Sequence, residues 1–216
     1  MQPLNLVVVT AGLSVPSSTR LLADRLTHAT SIYLTERQLV SSVEVVELRE
    51  HARAIADNLV TGFPGSTLRE TVTAVARADG LIVVTPVFAA SYSGLFKSFF
   101  DVLEQDTLRD TPVLIAATGG TPRHSLVLEH ALRPLFAYLR AVVVPTAVYA
   151  ASQDWGSAGD AGSEELDLRI ERAGQELAAL MDANPAGAAP TDGSHRAARQ
   201  QEVIPFEQQL AALKPR

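Results

Sequence analysis

Short apolar runs alternate with amphipathic stretches along most of this 216-residue chain, and this alternation limits the possible folds more than any other feature. The apolar runs predict five strands, at Leu4–Thr10, Val43–Leu48, Leu81–Val84, Pro112–Thr118 and Val142–Ala150. Between the strands, apolar residues recur at the three- and four-residue spacing that is typical of helices. Since parallel strands need a crossover between them, the alternation predicts an α/β fold with helices on both faces of a parallel sheet.

Five strands joined by right-handed crossovers fit the order 2-1-3-4-5, which is a flavodoxin-like three-layer sandwich. In this order the loops that follow strands 1, 3 and 4 converge at the carboxyl edge of the sheet, where ligands bind. The sequence predicts one such domain over residues 1–183. Residues 184–202 have the composition of a linker, and residues 203–216 form an arm that either stays loose or docks on this or a neighbouring subunit.

Composition and charge exclude several classes of function. The 18 basic and 24 acidic side chains give a net charge of −6 without a basic run, so nucleic-acid binding is not expected. The chain has no cysteine, which excludes disulfides and thiolate catalysis, and its five histidines share no spacing that suggests a metal site. The amino terminus has no basic leader, and its apolar run is too short to span a bilayer, so we expect a cytoplasmic protein without membrane contact.

A small, hydroxyl-rich loop follows the first strand and leads into a helix. Unpaired amides and the dipole at a helix amino terminus favour an anion, and hydroxyl groups add further donors. The loop lacks both the Gly-x-Gly-x-x-Gly and the Walker patterns, which favours a phosphomonoester over a pyrophosphate. Plain helix capping is the alternative interpretation. The candidate phosphate ligands are Ser14, Ser17, Ser18, Thr19 and Arg20.

The stretch Thr85–Lys97 turns from the third strand into a helix. Pro86 stiffens this loop, and Gly94 lets the backbone approach a ligand or another chain closely. An apolar wall beside free backbone amides suits a planar, partly polar ring. Pro86, Val87 and Phe88 are therefore the candidate ring-binding residues.

Thr118, Gly119 and Gly120 follow the fourth strand and expose consecutive backbone amides. Those donors could face the carbonyl edge of a bound ring, although an ordinary glycine turn is the alternative. His124 could contact a bound ring or simply form a hydrogen bond within its loop. Trp155, the only tryptophan, either covers the site or anchors its own loop, and we expect the anchoring role.

Together these three stretches resemble the NAD(P)H-dependent FMN reductase family, particularly the branch that supplies reduced FMN to flavin-dependent monooxygenases, including luciferase-like ones. The resemblance is carried by Gly12–Arg20, Thr85–Lys97 and Ala117–His124. It implies that the first loop holds the FMN phosphate, the second lines the isoalloxazine, and the third meets its pyrimidine edge. His124 would then lie near the flavin or the nicotinamide. The chain departs from the family at Val15, where relatives often have an arginine, and Arg20 is the expected substitute for that charge.

The resemblance also implies that NADH or NADPH passes hydride directly to FMN, without a catalytic acid, base or nucleophile. It implies a homodimer or homotetramer in which Tyr92 lies at the subunit interface, on a helix prone to a π-bulge; packing of Tyr92 on the sheet is the alternative. Other functions stay open on the same fold. They are an FMN-retaining quinone or azo-compound reductase, a flavodoxin-like electron carrier without nicotinamide activity, and a non-enzymatic regulatory domain.

Overall fold

The computed structural model describes residues 3–156 and 161–183, and its centre is a sheet of mainly parallel strands. Along the sheet the order is β2-β1-β3-β5-β6, which confirms the predicted flavodoxin-like arrangement. A short strand β4 pairs antiparallel with β3, and β7 pairs parallel with β5. The described strands are β1 (Leu4–Thr10), β2 (Ser41–Glu47), β3 (Gly80–Phe88), β4 (Ser91–Tyr92), β5 (Pro112–Gly119), β6 (Val142–Val143) and β7 (Val148–Ala151).

Helices cover both faces of this sheet and produce the three layers. Their bounds are α1 (Ser18–Glu36), α2 (Leu48–Thr61), α3 (Ser66–Ala76), α4 (Gly94–Asp101), α5 (Arg133–Tyr138) and α6 (Ala161–Ala183). On one face, Leu26 and Leu177 of α1 and α6 pack against the sheet in a fully buried cluster. On the other face, residues from α2 to α5 form a second cluster, in which the rings of Phe96, Phe100 and Phe136 contact one another. The sheet is thus buried on both sides, as its continuous apolar strands require.

The fifth predicted strand is divided into β6 and β7, and β4 is an additional short strand, so the sheet has seven strands where five were expected. The backbone N–H of Val144 still donates to Val113. Pro145 has no N–H to donate, and the chain leaves the ladder there. It returns at Val148, opposite Ala116, so that residues 144–147 lie opposite only residues 114 and 115 of β5. The two surplus residues interrupt the strand without changing the order of the sheet.

The third strand runs further than predicted and ends in a hairpin. β3 continues to Phe88, and the two residues Ala89 and Ala90 connect it to β4. Both alanines have positive φ, at 47° and 65°. Asparagine or glycine usually occupies such two-residue turns, because the left-handed region costs an alanine about 1–2 kcal/mol.

Tyr92 lies outside the helix that follows β3, so its placement on a helix was wrong. Tyr92 pairs with Val87 in β4, and α4 begins only at Gly94 and ends at Asp101. Ser93 is the reason for the late start, because its hydroxyl caps the helix by accepting the backbone N–H of Phe96 at 3.1 Å.

A π-helix covers Leu128–Leu132 and leads into α5. Pro134 is one reason for this irregular turn, since it has no N–H to donate to the carbonyl of His130 four residues earlier. The π-bulge that was expected around Tyr92 is thus found on a different element of the chain. The predicted linker, 184–202, and arm, 203–216, lie outside the described residues.

Candidate functional site

A cleft of about 440 Å³ opens at the carboxyl edge of the sheet, where the loops after β1, β3 and β5 meet. The segment that follows β7 forms its fourth side. The convergence follows from the strand order, because β1, β3 and β5 are neighbours and run in the same direction. Ten of the twelve predicted cofactor-binding residues line this one cleft; only Arg20 and His124 do not.

The first loop and the amino terminus of α1 form one wall, with Ser14, Ser17, Ser18 and Thr19 in the lining. Ser17 is the N-cap, and its hydroxyl accepts the backbone N–H of Arg20 at 3.2 Å. The hydroxyl groups of Ser14 and Ser18 lie on exposed residues beside this helix end. The first turn of α1 contains no acidic residue, so the amide groups and the helix dipole together favour an anion here.

Thr19 also connects this wall to the third loop. Its hydroxyl forms a hydrogen bond of 2.9 Å with the hydroxyl of Thr118, at the end of β5. Both residues are nearly inaccessible to solvent, at 2% and 4% exposure. This buried hydrogen bond therefore connects two distant parts of the chain beneath the cleft.

Arg20 is not part of the cleft lining. Its guanidinium group pairs instead with Asp24 at 2.7 Å and with Glu47, at the end of β2, at 2.5 Å. The hydrogen bond that Arg20 donates to Asp24, together with the negative charges of Asp24 and Glu47, raises the pKa of Arg20 above its ordinary value. Two carboxylates thus balance the charge that the sequence had assigned to a phosphate.

The second wall is the end of β3, where Pro86, Val87 and Phe88 line the cleft. Phe88 is 48% exposed and presents the largest apolar surface of the three. Thr85, directly beneath this wall, is buried, and its hydroxyl oxygen accepts the backbone N–H of Ser93 at 3.1 Å. Strand pairing and this hydrogen bond together give the cleft a fixed apolar side, as a flat ring requires.

The third wall consists of Thr118, Gly119 and Gly120. A Cβ atom on Gly119 would lie only 2.1 Å from the hydroxyl oxygen of Tyr149, whereas one on Gly120 would meet no atom within 4 Å. Gly119 is therefore packed against the protein, and Gly120 faces open space. The turn that carries the predicted backbone donors thus lines the cleft.

Two of the singled-out residues stay outside the cleft. His124 ends a short 3₁₀-helix, Pro122–His124, and its side chain is exposed. Tyr92 is partly buried, packs on the core cluster of α2 to α5, and has its ring 6.0 Å from that of Phe96. This placement matches the alternative interpretation of Tyr92 as an aromatic residue packed on the sheet.

The sequence did not identify Ser152 or Leu13 as part of the lining, and it favoured an anchoring role for Trp155, which forms the fourth side of the cleft with Ser152. Trp155 has both of the roles considered for it: it lines the cleft, and its ring lies 5.8 Å from the guanidinium carbon of Arg25. The buried Asp154 holds this segment by accepting the backbone N–H of Ala151 at 2.8 Å. A lone tryptophan just after the last strand was the only available signal.

The donors of this cleft suit binding and orientation more than proton transfer. Among the described residues that line it, none is an Asp, Glu, Lys, Arg or His. Across 3–156 and 161–183, no group of three His, Asp or Glu side chains is placed to hold a metal ion. The same ranges contain no helix that is both long and apolar enough to cross a bilayer. An anion subsite, a flat apolar wall and a row of backbone donors together fit a flat ring that carries one phosphate.

Known proteins are similar to this chain in sequence, and solved structures are similar to it in fold. Residues 4–156 match the family model of the NADPH-dependent FMN reductases. The chain is 39% identical over 197 residues to the NADH-dependent FMN reductase SfnE of Pseudomonas putida, covering 91% of this chain and 97% of that one. It is 38% identical over 179 residues to an FMN reductase (NADPH) of Pseudomonas aeruginosa, covering 83% and 93%. The crystal structure of an oxidoreductase from Corynebacterium diphtheriae superposes with a TM-score of 0.81 at 46% identity, covering 85% and 99%.

Proposed function

This chain belongs to the NADPH-dependent FMN reductase family, and we propose that its cleft binds FMN and that the reduced FMN is released to a flavin-dependent monooxygenase. It is an NAD(P)H:FMN oxidoreductase. One observation supports the assignment of the cleft above all others. Three loops from distant parts of the chain meet at one site that offers an anion subsite, a flat apolar wall and backbone donors.

Each wall suits a different part of FMN. Ser14, Ser18 and the first amides of α1 would hold the phosphate, while Ser17 keeps the helix end in place through its capping hydrogen bond. Val87 and Phe88 would lie against the ring system and exclude water from it. The amides of Gly119 and Gly120 would donate to its pyrimidine edge.

Bound FMN supplies the acceptor for the hydride of NADH or NADPH. The chain itself then has to hold the ring flat, orient it and keep water away, and the lining contains the groups for those three tasks. No side chain in this lining needs to gain or lose a proton. The uncharged lining thus agrees with a reaction that needs no acid or base from the protein.

Release of the product is supported by the state of Arg20. Because Asp24 and Glu47 already neutralise its guanidinium group, the phosphate subsite consists of neutral donors. Charge-assisted hydrogen bonds to a phosphate are roughly twice as strong as neutral ones, so their absence lowers the affinity. An FMN that is held weakly can leave during turnover and reach a second enzyme.

The test is an absorbance assay of purified protein with NADH or NADPH, with and without free FMN. We expect nicotinamide oxidation that depends on added FMN and a kinetic pattern in which FMN behaves as a substrate. A purified protein that retains FMN and follows a ping-pong pattern with quinones or azo compounds would favour the FMN-retaining reductase instead. An electron carrier would leave both nicotinamides unchanged.

Release can be measured with a luciferase as the acceptor enzyme. Bacterial luciferase, supplied with an aldehyde and oxygen, emits light only when it receives reduced FMN, so emission in the coupled mixture reports transfer. A membrane that separates the two proteins but lets FMN pass should still permit emission, because free reduced FMN carries the electrons between them. Darkness in the presence of rapid nicotinamide oxidation would refute the proposed supply of a monooxygenase.

The phosphate subsite has its own test in Ser14→Asp, with Ser42→Asp on β2 as the matched control. A carboxylate at position 14 should weaken FMN binding about tenfold, as expected for about 1.4 kcal/mol of repulsion. Riboflavin, which lacks the phosphate, should bind both variants as it binds the original protein. An equal loss of affinity for FMN and riboflavin would place the phosphate elsewhere.

The homodimer or homotetramer with Tyr92 at its interface stays a prediction, and light scattering tests it. The cytoplasmic location also stays a prediction.

A further inference from the structure

We propose that Tyr149 is a positioning residue that holds the Gly119–Gly120 turn in the shape needed to bind FMN, and this inference rests on the proposed function. Tyr149 lies on β7, beneath the third wall of the cleft, and is only 3% exposed. It does not line the cleft itself, so its effect on a ligand would pass through the turn.

The hydroxyl group of Tyr149 makes two contacts with this turn. It donates a hydrogen bond to the backbone carbonyl of Thr121 at 2.8 Å. It also occupies the space beside Gly119, where an added Cβ would lie 2.1 Å from the hydroxyl oxygen and 3.1 Å from the ring carbon Cζ. One hydroxyl group thus touches both ends of the segment from Gly119 to Thr121.

The rest of the turn is held by the sheet. β7 pairs with β5 up to Gly119, which lies opposite Ala151. The ladder therefore fixes the start of the turn, and Tyr149 fixes its end through Thr121. Gly120, between these two points, is the exposed residue of the cleft wall. With both ends held, the amide groups of Gly119 and Gly120 keep one direction before any ligand arrives, which reduces the ordering that binding would otherwise require.

The pKa of Tyr149 favours a hydroxyl group that stays protonated and can donate its hydrogen bond to Thr121. Burial, and after it the negative charge of Asp154, raises the pKa of Tyr149 above its ordinary value. The phenol thus stays protonated at neutral and moderately alkaline pH. Asp154 in turn is fixed by the backbone N–H of Ala151 and precedes Trp155, so the third and fourth sides of the cleft share this support.

The hydroxyl group can be removed without removing the packing. Tyr149→Phe keeps the buried ring and deletes only the donor, and the carbonyl that loses it belongs to Thr121, an exposed residue that water can reach. We therefore expect a small change in the thermal midpoint of the protein without ligand. The matched control is Tyr138→Phe on α5, where the tyrosine is 80% exposed.

Tyr149→Phe should change the affinity for FMN although it changes the stability of the protein little. From the usual net value of one hydrogen bond, Tyr149→Phe should raise the Kd and the KM for FMN about three- to tenfold. The turnover number at saturating FMN and the KM for the nicotinamide should stay close to those of the original protein, as should all constants of Tyr138→Phe. Quenching of flavin fluorescence gives the Kd without turnover. A merely structural tyrosine would lower the thermal midpoint and leave the FMN affinity of the folded protein unchanged.

A double-mutant cycle with Gly119→Ala provides the second measurement, and it needs no flavin. Gly119→Ala forces its Cβ against the Tyr149 hydroxyl and should lower the thermal midpoint, whereas Gly120→Ala should not. In the Tyr149→Phe background the oxygen is gone, so the cost of Gly119→Ala should shrink. Equal costs of Gly119→Ala in both backgrounds would overturn the contact on which the proposal depends.

The outcomes separate this inference from the function beneath it. If the original protein neither binds FMN nor oxidises a nicotinamide with it, the proposed function fails. If the original protein does both and Tyr149→Phe binds FMN equally tightly, the function stands and the positioning role of Tyr149 is refuted.

Discussion

The buried hydrogen bond between Thr19 and Thr118 allows a sharp test of how the cleft is held together. Replacing either threonine by valine keeps the shape of the side chain and removes one hydroxyl group. The remaining hydroxyl then lies in a position of 2% or 4% exposure without its partner, which is 2.9 Å away in the original protein. An unsatisfied buried hydroxyl costs about 1–3 kcal/mol of the free energy of unfolding.

The double variant should behave differently from the sum of the two single ones. With both hydroxyl groups replaced by methyl groups, no polar atom is left unsatisfied, and the free energy of unfolding should return close to the original value. For a chain of this size, a loss of about 2 kcal/mol lowers the thermal midpoint by about 4–8 °C. Each single variant should show this shift, and the double variant should show little of it.

Urea denaturation and thermal melting of the four proteins measure this cycle directly, with Thr73→Val as the control. The hydroxyl of Thr73 is exposed and bonds only within α3, so its loss should cost less than about 0.5 kcal/mol. Two single variants as stable as the original protein, or a double variant that loses the full sum, would refute the argument. Either result would mean that the two loops do not depend on this contact.

The remaining predictions concern packing, cofactor choice and pH. Gly174→Ala should lower the free energy of unfolding by about 1–3 kcal/mol in urea denaturation, because its Cβ would lie 2.9 Å from the backbone nitrogen of Thr30 on α1. Gly162→Ala is the control, because the nearest atom to its Cβ would be 3.7 Å away. Arg123 is the candidate ligand of the 2′-phosphate that NADPH carries and NADH lacks, because it is exposed, lies three residues after Gly120 and forms no ion pair within 3–156 or 161–183. Arg123→Ala should therefore raise the KM for NADPH about tenfold and leave the KM for NADH unchanged. Equal effects on both nicotinamides would exclude this role. Because the pKa of Tyr149 is raised in the folded state, the unfolded chain loses this proton first, near its ordinary pKa of 10.0. The free energy of unfolding relative to Tyr149→Phe should therefore be constant below about pH 10 and fall above it, and a constant difference up to pH 11 would contradict the shift.

The order of the sheet could be predicted from sequence because its central strands β1, β3 and β5 are buried and read as continuous apolar runs. β1 was predicted at its observed bounds, and the convergence of three loops followed from the strand order alone. The hairpin after β3 could not be foreseen, since Ala89 and Ala90 carry no signature of a turn with positive φ. Tyr92 was misplaced for the same reason, because the hairpin pairs it with Val87 in β4 and the helix begins only after the Ser93 cap.

The parts of the site that escaped prediction depend on contacts between distant residues. Glu47 reaches Arg20 because the register of β1 and β2 places Glu47 beside Thr10, and spacing along the chain does not reveal this. Tyr149 supports Gly119 only because β7 returns to β5 after the interruption at Pro145. Residue types and loop order were thus enough to locate the cleft, whereas the charge balance and the support of the cleft required the register of the sheet.

The hairpin between β3 and β4 has a consequence for how a ligand enters and leaves. Val87 and Phe88 are held in a ladder with Tyr92 and Ser91, and the buried Thr85 and Ser93 tie its base together. Bending this side outward would break several hydrogen bonds at once, so we expect it to keep the same shape with the cleft filled or empty. We therefore expect the adjustment that admits a ligand to fall on the exposed residues 13–16 of the first loop.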